Sequence, residues 1–330
     1  MPHARNKILI TGGAGFIGSH LSESLLKMGR EVVIVDNLST GSIDNIQGFK
    51  ENPRFKYFIE DVENTQLLKE LVDSADCIVH LAASVGVLNI INSPIKTIEN
   101  NIVGTDIILK LCAKKGKRLI VASTSEVYGK SEKFPFGEGD DLILGPSNKG
   151  RWSYACSKLI DEFLSIAYFK EQGLPVTVLR LFNTVGPRQT GRYGMVIPSF
   201  AKQALQGTSI TVFGDGKQKR CFAHVHDVVE GISKVMESAN TVGEVINLGN
   251  STNEITILDL AKKIVEKTKS SSAIKLVPYA EAYAEGFEDM YRRVPDLSKA
   301  YKLFKFKPSR TLDEIINDVV EFERKRKTAA

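Results

Sequence analysis

The segment Thr11-Gly12-Gly13-Ala14-Gly15-Phe16-Ile17-Gly18 constrains this chain more than any other. It follows an apolar run, Lys7 to Thr11, that reads as a buried strand, and it opens a helical pattern over Ser19 to Met28. Gly12, Gly15 and Gly18 recur every three residues. Glycines so placed permit a tight turn, let a pyrophosphate approach the backbone, and let the helix pack on the strand. The phosphates then meet free N–H groups and the positive end of the helix dipole. A glycine-rich loop carries this meaning only between a strand and a helix, and that context is met here. Gly12, Gly15, Phe16, Ile17 and Gly18 are therefore expected to line a dinucleotide site.

The remaining pattern agrees with such a loop. Apolar strand-like runs at Glu31 to Asp36, Cys77 to Leu81, Arg118 to Ser123 and Val176 to Leu181 alternate with helical periodicity such as Ile95 to Lys114. Continuous apolar strands in a βαβα rhythm predict an α/β fold with a doubly wound parallel sheet. After Asn183 the rhythm loosens. Ile197 to Gln206, Ile257 to Lys267 and Leu312 to Lys325 read as helices, and Glu244 to Leu248 as a strand that rejoins the sheet. With no Pro-rich linker or repeat, a smaller second lobe is expected to interleave with the first.

Asp36 ends the second strand. A carboxylate there can accept from the adenosine ribose hydroxyls and repels a 2′-phosphate, which selects NAD over NADP. The formal net charge of +5 is mild, with excess cations between Lys299 and Lys327. These read as a solvated helix face and frayed tail. No basic patch interleaved with aromatics points to nucleic acid. Cys77, Cys112, Cys156 and Cys221 have neither CxxC spacing nor a disulfide pattern, so free thiols are expected and no metal. No apolar run has membrane-spanning length, and the polar start, Met1 to Lys7, lacks the apolar core of a signal peptide. A cytoplasmic protein is expected.

Tyr154 and Lys158 sit four residues apart at the start of a helical stretch and so share one helix face. An ammonium near a phenol stabilises the phenolate. Such a tyrosine can take a proton from a hydroxyl while hydride leaves the same carbon for a nicotinamide. Ser123-Thr124-Ser125-Glu126 lies past the carboxyl end of a strand, where open α/β sheets bind ligands. Thr124 could bond the reacting hydroxyl, and Glu126 could handle a proton at a neighbouring carbon. A helix N-cap or a loop carboxylate is the alternative for Glu126.

Together with Asp61-Val62, His80-Leu81-Ala82-Ala83, Asn101 to Thr105, Ser123 to Gly129, Leu179 to Asn183 and Gly186-Pro187-Arg188, these motifs resemble the extended short-chain dehydrogenase/reductases that act on nucleotide sugars. The resemblance covers nearly the whole chain. It implies that 1–183 form an NAD-binding Rossmann domain, with 244–248 returning to its sheet, and that 184–330 form mainly a nucleotide-sugar-binding lobe. Asp61 and Val62 would lie near adenine, and Leu81, Ala82, Ala83 and Asn101 would line the cofactor site with Tyr154 and Lys158. Thr124, Ser125, Glu126, Tyr154 and Lys158 would form the catalytic set. Asn183, Arg188, Arg220 and Arg292 or Arg293 would hold the nucleotide sugar. The resemblance also implies a homodimer pairing the helices around 95–114 and 153–169.

Oxidation at C4 acidifies C5, after which the sugar can be epimerised, lose water, or lose a C6 carboxylate as CO2. Thr124-Ser125-Glu126 resembles the triplet of UDP-glucuronate decarboxylases, and GDP-mannose dehydratases share it. Leu144 to Trp152 and Gly214 to Phe222 also resemble bacterial UDP-glucuronate decarboxylases, whereas the 83–86 loop and Arg292 to Asp296 depart from them. Decarboxylation of a UDP-hexuronate leads. A 4-epimerase or 4,6-dehydratase, including one acting on a UDP-N-acetylhexosamine, is the alternative, and a non-catalytic binding protein is the alternative from another class.

Overall fold

A computed structural model describes residues 6–84, 93–191, 195–282 and 288–329. Seven parallel strands form the main sheet: β1 (Lys7–Thr11), β2 (Glu31–Val35), β3 (Phe55–Phe58), β4 (Cys77–His80), β5 (Arg118–Thr124), β6 (Val176–Leu181) and β7 (Val245–Leu248). Their order is β7-β6-β5-β4-β1-β2-β3, so the winding reverses between β1 and β4. Ligands of such sheets bind in the crevice at that reversal, outside the strand carboxyl ends.

Alternation along β1 divides the core. Ile8 and Ile10 face one layer with Leu21 and Leu25 of α1 (Phe16–Lys27), together with Val228 and Ile232 farther along the chain. Leu9 faces the other layer. There it meets Leu68 of α2 (Thr65–Ser74), Ile108 of α3 (Pro94–Lys115) and, at the cluster's margin, Leu164 of α4 (Ser153–Gln172). Period-two strands buried on both faces give the continuous apolar runs seen in the sequence. Proline at the start of α3 fits a position whose N–H has no helical partner, and Gly116 and Gly173 end α3 and α4 at φ +60° and +68°.

The second lobe has its own core. Phe200 of α5 (Val196–Gln206) packs with Ile210 and Val212, with Leu260 and Ile264 from the helix Ile257–Thr268, and with Ile315 and Val319 from Leu312–Ala329. Between α5 and Ile257–Thr268 the chain returns to the sheet as α6 (Val225–Glu237) and β7. The helices Ile257–Thr268 and Leu312–Ala329 follow as α7 and α8. The strand expected at 244–248 does rejoin the sheet, and the structure puts it at the edge beside β6. The sequence reading did not anticipate β3, α2 or α6. The edge strand β3 exposes Lys56 and Tyr57 and has no continuous apolar run to mark it. Among the described residues no helix is long and apolar enough to cross a membrane.

Candidate active site

The turn from β1 to α1 forms because only glycine tolerates its contacts. Gly12 has φ +72°, and a Cβ there would sit 2.8 Å from the Ala82 backbone N. At Gly18 a Cβ would meet the Gly12 carbonyl oxygen at 2.2 Å. This turn opens a cleft of about 1100 Å³. Gly12, Gly15, Phe16, Ile17, Gly18, Asp36, Asp61, Val62, Leu81, Ala82 and Ala83 line it, as expected from the sequence. Asp36 accepts the Ala14 and Leu38 backbone N–H groups at 2.9 and 2.8 Å. Burial pushes its carboxyl above the ordinary range, and those two donors oppose the rise. Asp61 accepts from Asn37 at 2.7 Å. Asn101 is not in the cleft wall. It is buried behind it, accepting from the Ser84 N–H at 2.7 Å and donating to Ser157 Oγ at 3.1 Å, so it ties the 81–84 segment to α4. Residues 85 and 86 of the loop that began at Ala83 lie outside the described residues.

The same cleft continues to Thr124, Ser125, Glu126, Tyr154, Lys158, Asn183, Arg188, Arg220 and Arg293. Thr124 caps the short turn Ser125–Tyr128 by accepting the Glu126 N–H at 3.3 Å, which leaves the Glu126 side chain free to turn into the cleft. There Glu126 is clamped. Arg293 Nη1 donates to its Oε1 at 2.8 Å, and Arg151, 4% exposed, forms an ion pair with Oε2. Burial would raise the carboxyl, but Arg151 and Arg293 outweigh it and hold the pKa down at about 2. Arg220 pairs with Asp289, both oxygens at 2.9 Å. Around Arg293, three guanidiniums therefore face two carboxylates, leaving one positive charge in excess.

Besides Asn101, three expectations need correction. Arg292 does not reach the cleft: it pairs with Glu254 and stacks over Phe134 with its guanidinium carbon 5.2 Å from the ring centre. Successive residues of the short strand Arg292–Arg293 point to opposite sides, so only one of the two can face the ligand. The Tyr154 phenol is not lowered overall beside Lys158. The Lys158 ammonium donates to Asp161 Oδ2 at 2.7 Å and is neutralised there. Burial, reinforced by Glu126 and Asp161, pushes the phenol above its usual value, while Arg151 and the Thr124 side chain oppose this. Finally, the basic tail is not wholly a solvated face, because Phe322, Lys325 and Arg326 of α8 line the cleft.

Arg151 and Asp161 were the functional candidates that the sequence reading missed. Arg151 lies within Leu144 to Trp152 and stands three residues before Tyr154, but nothing local marks its partner. Arg188 has φ +68° and pairs with Glu23 of α1, which holds it at the cleft edge. Cys77, Cys112, Cys156 and Cys221 form no disulfide with one another.

A family model described as GDP-mannose 4,6 dehydratase matches residues 9–319. The UDP-N-acetyl-alpha-D-glucosaminuronate decarboxylase of Bacillus cytotoxicus is 43% identical over 97% of this chain and 98% of its own. UDP-glucuronic acid decarboxylase 1 of Danio rerio is 39% identical over 96% of this chain and 72% of its own. Among solved structures, the UDP-glucuronic acid 4-epimerase of Bacillus cereus, in complex with UDP-glucuronic acid and NAD, superposes with a TM-score of 0.87 at 31% identity, covering 97% and 99% of the two chains. These likenesses and the glycine turn, Thr124, Tyr154 and Lys158 in one cleft place the chain in the GDP-mannose 4,6-dehydratase family of extended short-chain dehydrogenase/reductases.

Proposed function

We propose that this protein is an NAD-dependent decarboxylase of a UDP-hexuronate, with a 2-acetamido uronate as the leading substrate. The observation that carries the reading is the Glu126 clamp. An excess guanidinium charge in a partly desolvated site fits a sugar bearing a carboxylate better than a neutral hexose. The decarboxylase relatives support the same reaction, and the Bacillus cytotoxicus protein supports the 2-acetamido sugar.

The residues present fit NAD. The glycine turn leaves no room for side chains where a pyrophosphate would approach, and α1 starts there with free N–H groups. Asp36 retains lone pairs for ribose hydroxyls. The cleft exceeds the usual volume for one ligand, roughly 300–1,000 Å³, as needed for a dinucleotide and a nucleotide sugar together. We assign the Rossmann part, 1–183 with 244–248, to NAD, and 184–330 mainly to the nucleotide sugar. When bound, NAD supplies a hydride acceptor and a positive charge to the cleft.

Tyr154 takes the C4 hydroxyl proton, with Thr124 aligning that hydroxyl. The sugar becomes a 4-ketone, and its C6 carboxylate becomes a β-keto acid. The C5–C6 bond breaks, CO2 leaves, and the electron pair moves onto the C4 oxygen. A proton then adds at C5, and Tyr154 would return its proton to the C4 oxygen as the ketone is reduced by the hydride that the bound cofactor would carry. Glu126, held ionised, sets a negative charge near the uronate and favours its departure as neutral CO2. Arg151 and Arg293 offset that repulsion at binding. Asn183, Arg188 and Arg220 hold the diphosphate. We place the protein in a reducing, cytoplasmic compartment, where cysteines without a disulfide are stable.

A homodimer accompanies this reading. Ile95 and Val103 share one face of α3, and Ile160 and Phe163 one face of α4. All four are exposed, Ile95 by 71% and Phe163 by 69%. Such an apolar patch on two neighbouring helices suits a twofold interface. Phe163→Glu should yield monomers in sedimentation, and an unchanged dimer would contradict this interface.

The test of the reaction is incubation with UDP-glucuronate, UDP-N-acetylglucosaminuronate and the two neutral parent sugars. Loss of CO2 from a uronate is expected. Water loss or epimerisation of a neutral sugar, with both uronates untouched, would refute decarboxylation.

A further inference from the structure

The Lys158–Asp161 pair is a feature that the reaction scheme above does not use. Asp161 is 0% exposed and Lys158 2% exposed, and they lie 2.7 Å apart, one turn along α4. Burying two charges costs much of what their attraction returns, so a pair of this kind is weak evidence for stability alone. The carboxylate is also held from the far side. His80 on β4 bonds Thr11 Oγ1 through Nδ1 at 2.7 Å and Thr105 Oγ1 through Nε2 at 3.2 Å. The Thr105 side chain of α3 in turn draws the Asp161 carboxyl down against burial. Burial, and then the Lys158 charge, lower the His80 pKa to about 3, so the imidazole stays neutral and can bridge the two hydroxyls. A buried network thus runs from the strand before the glycine turn to the lysine of the catalytic pair.

We propose that Asp161 is a positioning residue that fixes the Lys158 ammonium beneath Tyr154 and sets the pH range in which Tyr154 can accept a proton. The proposal rests on the oxidation step assigned to Tyr154. A lysine that met only the phenol would lower the phenol strongly. Here the lysine's charge is balanced by Asp161, so the phenolate loses part of its counter-charge. The charged groups around Tyr154 act in both directions: Glu126 and Asp161 disfavour the phenolate, while Arg151 favours it. Around Asp161 stand Lys158, Thr105 and Glu162, the last of which is paired with Arg180. Removing the Asp161 charge should therefore ease ionisation of Tyr154.

Asp161→Asn keeps the shape and an acceptor for Lys158 but removes the charge. With the NAD-loaded protein, kcat/KM for the UDP-hexuronate is measured across pH. The acid limb should move to lower pH, raising several-fold the activity at its acid end relative to the plateau. Asp161→Glu, which restores the charge, should move the limb back. If Asp161→Asn does not fold, Asp161→Ser also removes the charge and carries the same expectation. A limb that stays in place while kcat falls equally at every pH means a merely structural residue and overturns the proposal. Wild-type protein inactive on every UDP-sugar tested would defeat the assigned chemistry and this proposal with it. Active wild type with an unmoved limb defeats the Asp161 role alone.

Discussion

The two ends of the cleft are built differently. The end we assign to the cofactor is made largely of backbone: a turn in which Gly12 and Gly18 have no room for a Cβ, the start of α1, and the Asp36 carboxylate, which accepts two backbone N–H groups. The end we assign to the sugar is made of charged side chains drawn from distant segments: Glu126 after β5, Arg151 before α4, Arg220 and Arg293 from neighbouring strands of the second lobe. Backbone construction fixes the position of a ligand present in every turnover. Side-chain construction can change with one substitution, which suits the end that must choose among sugars and reactions.

If the comparison holds, the largest effect comes from the cofactor end. Gly18→Ala forces its Cβ to within 2.2 Å of the Gly12 carbonyl oxygen, and backbone must move. We expect loss of retained NAD and of all activity, with overpacking costing about 1–3 kcal/mol of stability. Calorimetric titration with NAD checks this, and unchanged affinity would break the idea that the backbone builds this end.

Next comes Glu126→Gln, which should leave NAD affinity unaltered. Oxidation at C4 should continue, seen as NADH absorbance, while CO2 release falls on the order of 10²-fold. The same change has a signature in stability. Because the folded carboxyl titrates at about 2, below its ordinary 4.5, the clamp's stabilisation is complete above pH 4.5 and is lost as pH falls toward 2. The Glu126→Gln protein should lack that part of the acid dependence in urea melts. An identical acid dependence would remove the clamp from the account.

The smallest effect is expected from Asp36→Asn. It spares the turn but removes the like-charge contact with a 2′-phosphate, so the preference for NAD over NADP should shrink roughly tenfold, about 1.4 kcal/mol. Competition binding measures it, and an unchanged ratio would assign the selectivity elsewhere.

The difference between the ends also explains what could be read from sequence. Gly12 to Gly18, Thr124 to Glu126 and Tyr154/Lys158 are local patterns, in which spacing along the chain fixes spacing in space. The sugar end depends on pairings across the fold. Arg292 and Arg293 are indistinguishable as letters, and only the pleat of a two-residue strand turns Arg293 to Glu126 and Arg292 to Glu254. Arg151 acquires meaning only when Glu126 arrives beside it. The α8 residues Lys325 and Arg326 reach the cleft because α8 packs on α5, a contact with no local sequence signal. Asp161 was legible in principle, since it falls three residues after Lys158 on the same helix face, yet a carboxylate there reads equally well as solvated surface.

Our central proposal is that the arginine-rich, net cationic end of this cleft removes a sugar carboxylate. Its most direct test is single-turnover and steady-state reaction of NAD-loaded protein with UDP-N-acetylglucosaminuronate and UDP-glucuronate labelled with carbon-13 at the C6 carboxyl. The account predicts that the label leaves as CO2 at a rate matching product formation, with a UDP-pentose product and no net NADH. Label that stays in a nucleotide sugar epimerised at C4, or in a dehydrated one, would contradict it.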